Sequence, residues 1–322
     1  MLTAKFIRVF AVLLLLTVSV FASSAAASGD VVSATNTDTA IRALNVRLQS
    51  APNDAELHHQ LSKIYFHLKK WDASISQGER AVVLAPNKSD YWMWLGRAYG
   101  EKADNTNFLS AFGLAKKACS SFEKAVSTDP TNIPALTDLA EFYASAPSIV
   151  GGGADKARQT AQRLAPLDQA KAHWVYAKIA QHDKDYGTAE RELKEAIRLS
   201  GNGAYWLNLG YLYSTLQRWN DMDYAIDQGL GSKKRPVEAY YNAATDYLHV
   251  GRNLPKAADL MRKYLAVGIE NDEAPLFEAH YMLGQILEKQ GDRSGAAAEY
   301  RNALALASNY QPAADALKRL SQ

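Results

Sequence analysis

The chain has 322 residues, of which 48 % are hydrophobic and 22 % charged, with 36 basic and 34 acidic side chains. That size and balance suit a packed globular or repeat fold and exclude a long disordered chain. A formal net charge of +2 excludes the broad basic face that nucleic acid requires. The one cysteine, Cys119, excludes an intrachain disulfide and a thiolate metal site.

The amino terminus reads as a targeting segment. Lys5 and Arg8 precede an apolar run at 9–22, and small residues ending at Ala27 follow. This is the layout of a secretory signal peptide, predicted over 1–27. The apolar run is short for a spanning helix, which needs roughly 20 residues. Contact with a membrane is therefore expected only if that segment stays uncleaved. Removing it takes away Lys5 and Arg8 and no acid, so the mature chain is formally neutral. Residues 28–35 read as a flexible linker.

From residue 36 the chain repeats itself. Tyr65 and Tyr99 are 34 residues apart, as are Tyr213 and Tyr247. Trp92, Leu95, Gly96 and Tyr99 recur in spacing as Trp206, Leu209, Gly210 and Tyr213, and again as His280, Leu283, Gly284 and Leu287. A second helical pattern follows each block: Ala118, Phe122, Ala125 and Pro130; Ala189, Leu193 and Ala196; Ala296, Tyr300 and Ala303. Large residues three to four apart share a helix face, and small ones let the paired helix approach. This pattern resembles the tetratricopeptide repeat, W-x2-L-G-x2-Y then A-x3-F then P.

The resemblance implies an all-α, right-handed α-solenoid over 36–322. It divides into a half repeat at 36–54 and about seven helix pairs, starting near 55, 89, 133, 170, 203, 237 and 277. The amphipathic stretch 311–322 reads as a carboxyl-terminal capping helix. It also implies a non-catalytic scaffold that binds a protein or extended peptide, with no cofactor. The combination of ADNTNFLSAFGLAKKA with FYASAPSIVGGGADKA is similar to a bacterial subgroup of exported members, which points to the periplasm.

Two sites are expected. The family's groove-facing slots fall on His59, Lys63, Met93, Arg97, Trp174, Lys178, Leu207, Tyr211, Tyr241, Thr245, Tyr281 and Gln285. Aromatic residues and arginine favour binding hot spots. Asn208 and Asn242 stand in equivalent slots where they would meet a peptide backbone. The same residues also suit packing between repeats in the case of Trp174 and some tyrosines. The Lys/Asn/Arg clamp of chaperone-binding members is not reproduced, since its slots hold His59, Lys63, Trp94, Lys171 and Val175. The alternative ligand for such a groove is an envelope glycan or another small molecule.

The second site lies where the period breaks. Ten extra residues precede Ala118 and five precede Ala157, both in turns inside a helix pair. Neighbouring turns share one edge, so the two insertions should touch. Phe108, Leu109, Phe112 and Ile149, with Gly151, Gly152 and Gly153, form either a partner surface or a small satellite core. The three glycines lack the strand and the Gly-Lys-Ser/Thr of a phosphate loop. They read as a tight turn with positive-φ residues, although the amides of Gly152 and Gly153 would suit a weakly held anion. The histidines are scattered over separate pairs, so no metal centre is indicated, and no nucleophile-base arrangement stands out. Glu190, Glu192 and Glu195 read as a solvated helix face.

Overall fold

The computed structural model describes residues 36–268 and 272–321. The signal peptide and linker expected at 1–35 lie outside the described residues. The described residues hold sixteen α-helices. They are α1 (Thr37–Ser50), α2 (Ala55–His67), α3 (Trp71–Leu84), α4 (Ser89–Asp104), α5 (Phe108–Thr128), α6 (Ile133–Ser145), α7 (Ala154–Leu164) and α8 (Gln169–His182). Then come α9 (Tyr186–Ser200), α10 (Gly203–Thr215), α11 (Trp219–Gly231), α12 (Ala239–Val250), α13 (Leu254–Val267), α14 (Leu276–Lys289), α15 (Arg293–Leu306) and α16 (Gln311–Leu320). No strand occurs among the described residues beyond one isolated bridge between Asn202 and Lys234.

The helices form an α-solenoid in two compact units. One unit holds residues 53–66 and 70–234, and the other holds 36–52, 67–69 and 235–321. In each unit a helix packs on its hairpin partner, as α4 on α5, α6 on α7, α8 on α9 and α14 on α15. The first helices of successive pairs also touch: α4 on α6 and α6 on α8 in the first unit, α12 on α14 in the second.

The small residues act where helices cross. A Cβ on Gly96 would lie 2.7 Å from the Phe122 ring, so only glycine admits this crossing of α4 on α5. The same slot in α14 is Gly284 against Tyr300. Alanines at the opposing slots, such as Ala118, Ala157, Ala189 and Ala296, are fully buried. The tyrosine slot joins one pair to the next. The Tyr99, Tyr143 and Tyr213 hydroxyls donate to Glu79, Glu123 and Glu190 on the second helix of the preceding pair, the last two at 2.7 and 2.9 Å. Glu190 also accepts from Arg218 at 2.7 Å. Glu192 bonds His173 at 2.6 Å. These two carboxylates are thus cross-helix partners rather than a solvated face.

Five of the helix pairs turn in one way. The amides of Lys70, Asp185, Arg218, Arg252 and Asp292 donate back to the carbonyls of Tyr65, Ala180, Tyr213, Tyr247 and Leu287. Each bond spans five residues and closes a Schellman turn. The left-handed residue it needs is Lys69, Lys184, Gln217, Gly251 or Gly291. The α4–α5 and α6–α7 pairs depart from this turn, and those are the two with extra residues.

In the second unit α1 bonds to the turn between α15 and α16. The Asp38 carboxylate accepts from the Ser308 amide at 3.0 Å and the Asn309 amide group at 3.1 Å, and the Asn36 amide donates to the Ala305 carbonyl at 2.6 Å. Burial opposes ionisation of Asp38, but these hydrogen bonds outweigh it and hold the carboxyl below its usual range. The last helix, α16, buries Ala313 and Ala316 and turns Lys318 and Arg319 outward.

Candidate functional site

The first-helix face of the first unit is a layer of charges and aromatic rings. Helix α2 presents His59 and Lys63, α4 presents Met93, Trp94 and Arg97, α6 presents Asp138 and Glu141, and α8 presents Lys171, Trp174 and Lys178. His59 stacks on Tyr91 at 4.3 Å between ring centroids, and the Tyr91 hydroxyl donates to Glu56 at 2.7 Å. The Trp94 ring carries Lys63 at 5.1 Å and Arg97 at 4.8 Å. Arg97 then grips Asp138 through two hydrogen bonds of 2.6 and 3.3 Å, which tie α4 to α6. One repeat further, the Trp174 ring carries Lys171 at 5.2 Å and Lys178 at 4.9 Å. The Trp174 indole donates to the Asn208 side chain at 2.9 Å, and Asn208 donates to the Ala204 carbonyl at 2.8 Å.

These partnerships change the reading of the face. Trp174 is 1 % exposed. Met93, Arg97, Lys178, Leu207 and Asn208 are buried as well. Their polar atoms are engaged with one another, because a charged or indole group that deep needs a partner inside the fold. Asn208, expected to meet a peptide backbone, meets Trp174 and its own helix instead. Tyr211 is half-buried. The remaining groove slots fall in the second unit. There Tyr241 is 1 % exposed and packs edge-on against Tyr264 at 5.6 Å. Asn242 is buried, and Thr245 bonds the Tyr241 carbonyl at 2.9 Å. Tyr281 lies between the rings of Tyr300 and Tyr310 and accepts from Gln285 at 3.0 Å.

Asp138 and Glu141 are absent from the expected site, although they set its electrostatics. Glu141 is buried, with Lys178 Nζ at 3.7 Å from its Oε1, and that oxygen has no hydrogen-bond partner. Burial raises the Glu141 carboxyl most strongly; Lys178, Lys171 and Arg97 oppose it, Asp138 reinforces it, and the balance is about 7. Burial likewise pulls Lys171 down to about 8 against the pull of Asp168, Glu141 and Asp138.

The second region is the edge where the period breaks. The ten extra residues, expected as a longer turn, lengthen the helices instead. Helix α4 runs to Asp104 and α5 starts at Phe108, leaving three residues between them. Asn107 caps α5 by accepting from the Ser110 amide at 3.1 Å, and the Ala-, Leu- and Lys-rich run after it favours helix. This places Phe108 and Leu109 on the first turn of a 21-residue helix, where they are 70 % and 84 % exposed. Phe112, one turn on, is half-buried beneath Lys116 Nζ at 4.5 Å.

The neighbouring insertion does form a turn, and it touches α5. A short 3-10 turn over Ser148–Val150 exposes Ile149 at 69 %. Gly151 has φ 107° and Gly153 φ 152°, both in the region that favours glycine. A Cβ on Gly152 would stand 1.8 Å from the Ala146 carbonyl oxygen. Gly151 lies directly over the buried Cys119, whose thiol burial and Glu123 push up to about 11. The Gly152 amide donates to the Pro147 carbonyl at 3.2 Å and the Gly153 amide to Tyr143 at 2.8 Å. With both amides engaged inside the turn, neither is available to an anion. The satellite core expected from Phe108, Leu109, Phe112 and Ile149 is not formed, since three of the four face solvent.

Three histidines serve as pins inside helix pairs: His58 to Gln77, His173 to Glu192 and His280 to Glu299, each at 2.6 Å and each nineteen residues apart. No group of three or more His, Cys, Asp or Glu suited to a metal occurs among the described residues.

Residues 277–310 match the tetratricopeptide repeat model. The match covers α14, α15 and the turn after them, and the other pairs share this helix-turn-helix packing. Among solved structures the chain is similar to a tetratricopeptide repeat protein from Parabacteroides merdae, at 15 % identity over 83 % of this chain and 99 % of that one, with a TM-score of 0.43. It is similar to TTC0263, a thermophilic TPR protein in Thermus thermophilus, at 18 % identity over 61 % and 100 %, with a TM-score of 0.45. A third likeness is to the APC/C hetero-tetramer Cut9-Hcn1, at 16 % identity over 90 % and 53 %, with a TM-score of 0.40. No protein of curated description matches.

Proposed function

We propose that this protein is a non-catalytic scaffold of the bacterial cell envelope, exported by residues 1–27, that holds a protein partner against the α4–α5 and α6–α7 edge. The observation that carries the reading is the exposure of Phe108 and Leu109 on the first turn of α5 and of Ile149 on the short turn that packs against the same helix. Large apolar side chains held in water on one edge favour burial by a partner. The five regular pairs close with tight turns and leave no such edge. The first-helix face has the composition of a binding surface, but its rings and charges already serve each other. A glycan reading built on Trp174 and Tyr241 draws no support from rings that are 1 % exposed.

Site-specific photocrosslinking tests the reading. The full chain, made in its own host with p-benzoylphenylalanine replacing Leu109, should give a protein adduct of discrete mass in the envelope fraction. The same group replacing Val83, which is 69 % exposed on α3, should give none. Equal adducts at both positions, or none at 109, would sink the edge. Amino-terminal sequencing of the envelope form tests export, which predicts a chain beginning after Ala22 or Ala27.

A further inference from the structure

Glu141 is a buried charge whose needs the packing meets only in part. Its neighbour Asp138 receives two hydrogen bonds from Arg97, so the α4–α6 joint is closed by an ion pair of good geometry. Glu141 lies one turn further along α6 and faces α8. It is 7 % exposed, and Lys178 stops at 3.7 Å, beyond hydrogen-bond reach. The α6–α8 joint therefore includes a contact whose strength depends on whether Glu141 is charged. A buried carboxylate with an unbonded oxygen is costly, and it is relieved either by a proton or by a closer cation.

We propose that the α6–α8 joint is a proton-operated switch, in which ionised Glu141 draws Lys178 inward and tightens the joint, and protonated Glu141 releases it. This goes beyond the edge reading and does not depend on it. The charged groups acting on Glu141 are Lys178 and Lys171 from α8, Asp138 from its own helix and Arg97 from α4. With burial they bring its carboxyl to about 7, so small changes of pH around neutrality change its charge. The step takes one proton from solvent onto the carboxylate. Helices α6 and α8 are the first helices of adjacent pairs, and they touch. A change at their contact therefore moves one pair against the next, as discrete shifts do at packed helix joints.

The test is a distance measured across the joint in the full chain. Spin labels go on cysteines replacing Val83 of α3 and Tyr224 of α11, both well exposed, with Cys119→Ser. Between pH 5.5 and pH 8.5 the mean distance should change by about 2 Å, the scale of helix shifts at such joints. Glu141→Gln should hold the low-pH distance at both pH values. Lys178→Met should also abolish the change, and it serves as the second variant if Glu141→Gln does not fold. A protonated-carboxyl infrared band that vanishes in Glu141→Gln should titrate together with the distance. The proposal is overturned by an unchanged distance in the parent chain, or by a change that persists in either variant.

Discussion

The first-helix face and the hairpin edge of the same unit make opposite use of similar side chains. On the face, Trp94 and Trp174 are each flanked by two cations, and both rings are buried. On the edge, Phe108, Leu109 and Ile149 have no such enclosure. Composition alone favours the face, because aromatic residues and arginine mark binding hot spots. Burial reverses the ranking: a hot-spot residue must be desolvated by the partner, and one already desolvated by its own fold has little left to gain. The face is better understood as the adhesive between repeats.

Four variants press on that contrast. Trp174→Ala should cost about 3–5 kcal/mol of stability, as loss of a large buried side chain does. It also leaves the Asn208 side chain without its indole donor. Urea unfolding measures this, and a loss below about 1 kcal/mol would return Trp174 to the list of surface residues. Gly152→Ala should destabilise by about 1–3 kcal/mol, because its Cβ meets the Ala146 carbonyl and the turn must open. An unchanged melting temperature would show that the edge tolerates remodelling.

Glu141→Gln should stabilise the chain at pH 8 by up to about 3 kcal/mol, since each tenfold change in proton affinity on folding is worth about 1.4 kcal/mol. The sign follows from proton binding. The folded carboxyl sits near 7 against an ordinary 4.5, so between those values the folded state holds more protons than the unfolded one. Stability due to this group is thus full below pH 4.5 and is lost as pH rises through 7. The glutamine variant should flatten that slope in a series of melts from pH 4.5 to 8. The smallest effect on stability belongs to Phe108→Ser with Leu109→Ser, which should stay within about 0.5 kcal/mol. The same double variant should lose the adducts seen when the photoreactive group replaces Ile149, so it separates binding from folding cleanly.

The all-α solenoid class was legible because one helix pair cannot bury its own apolar face. Stacking forces the same small and large slots to recur, and Gly96, Tyr99 and Phe122 recur for steric reasons that a spacing count detects. The site was less legible. Asp138 and Glu141 look like ordinary polar residues of one helix, and only the packing of α4 and α8 beside α6 turns them inward. Counting residues located the α4–α5 insertion but did not distinguish a longer turn from longer helices. The signal was present: FLSAFGLAKKA contains no proline, and Asn107 stands where a helix cap belongs. Phe108 and Leu109 are also adjacent, and consecutive residues point about 100° apart on a helix. Such a pair seldom shares one core.

The glycine turn over Cys119 has a practical consequence. The thiol lies sealed beneath Gly151, 6 % exposed and held in its unreactive protonated form. An alkylating reagent can reach it only while the turn lifts off α5. Because the chain has no other cysteine, the total labelling rate counts those openings directly. Under conditions where reclosing is fast, it measures the local opening free energy of the edge. A partner that seats on Phe108, Leu109 and Ile149 and holds the turn down should slow that clock, even before the partner has been identified.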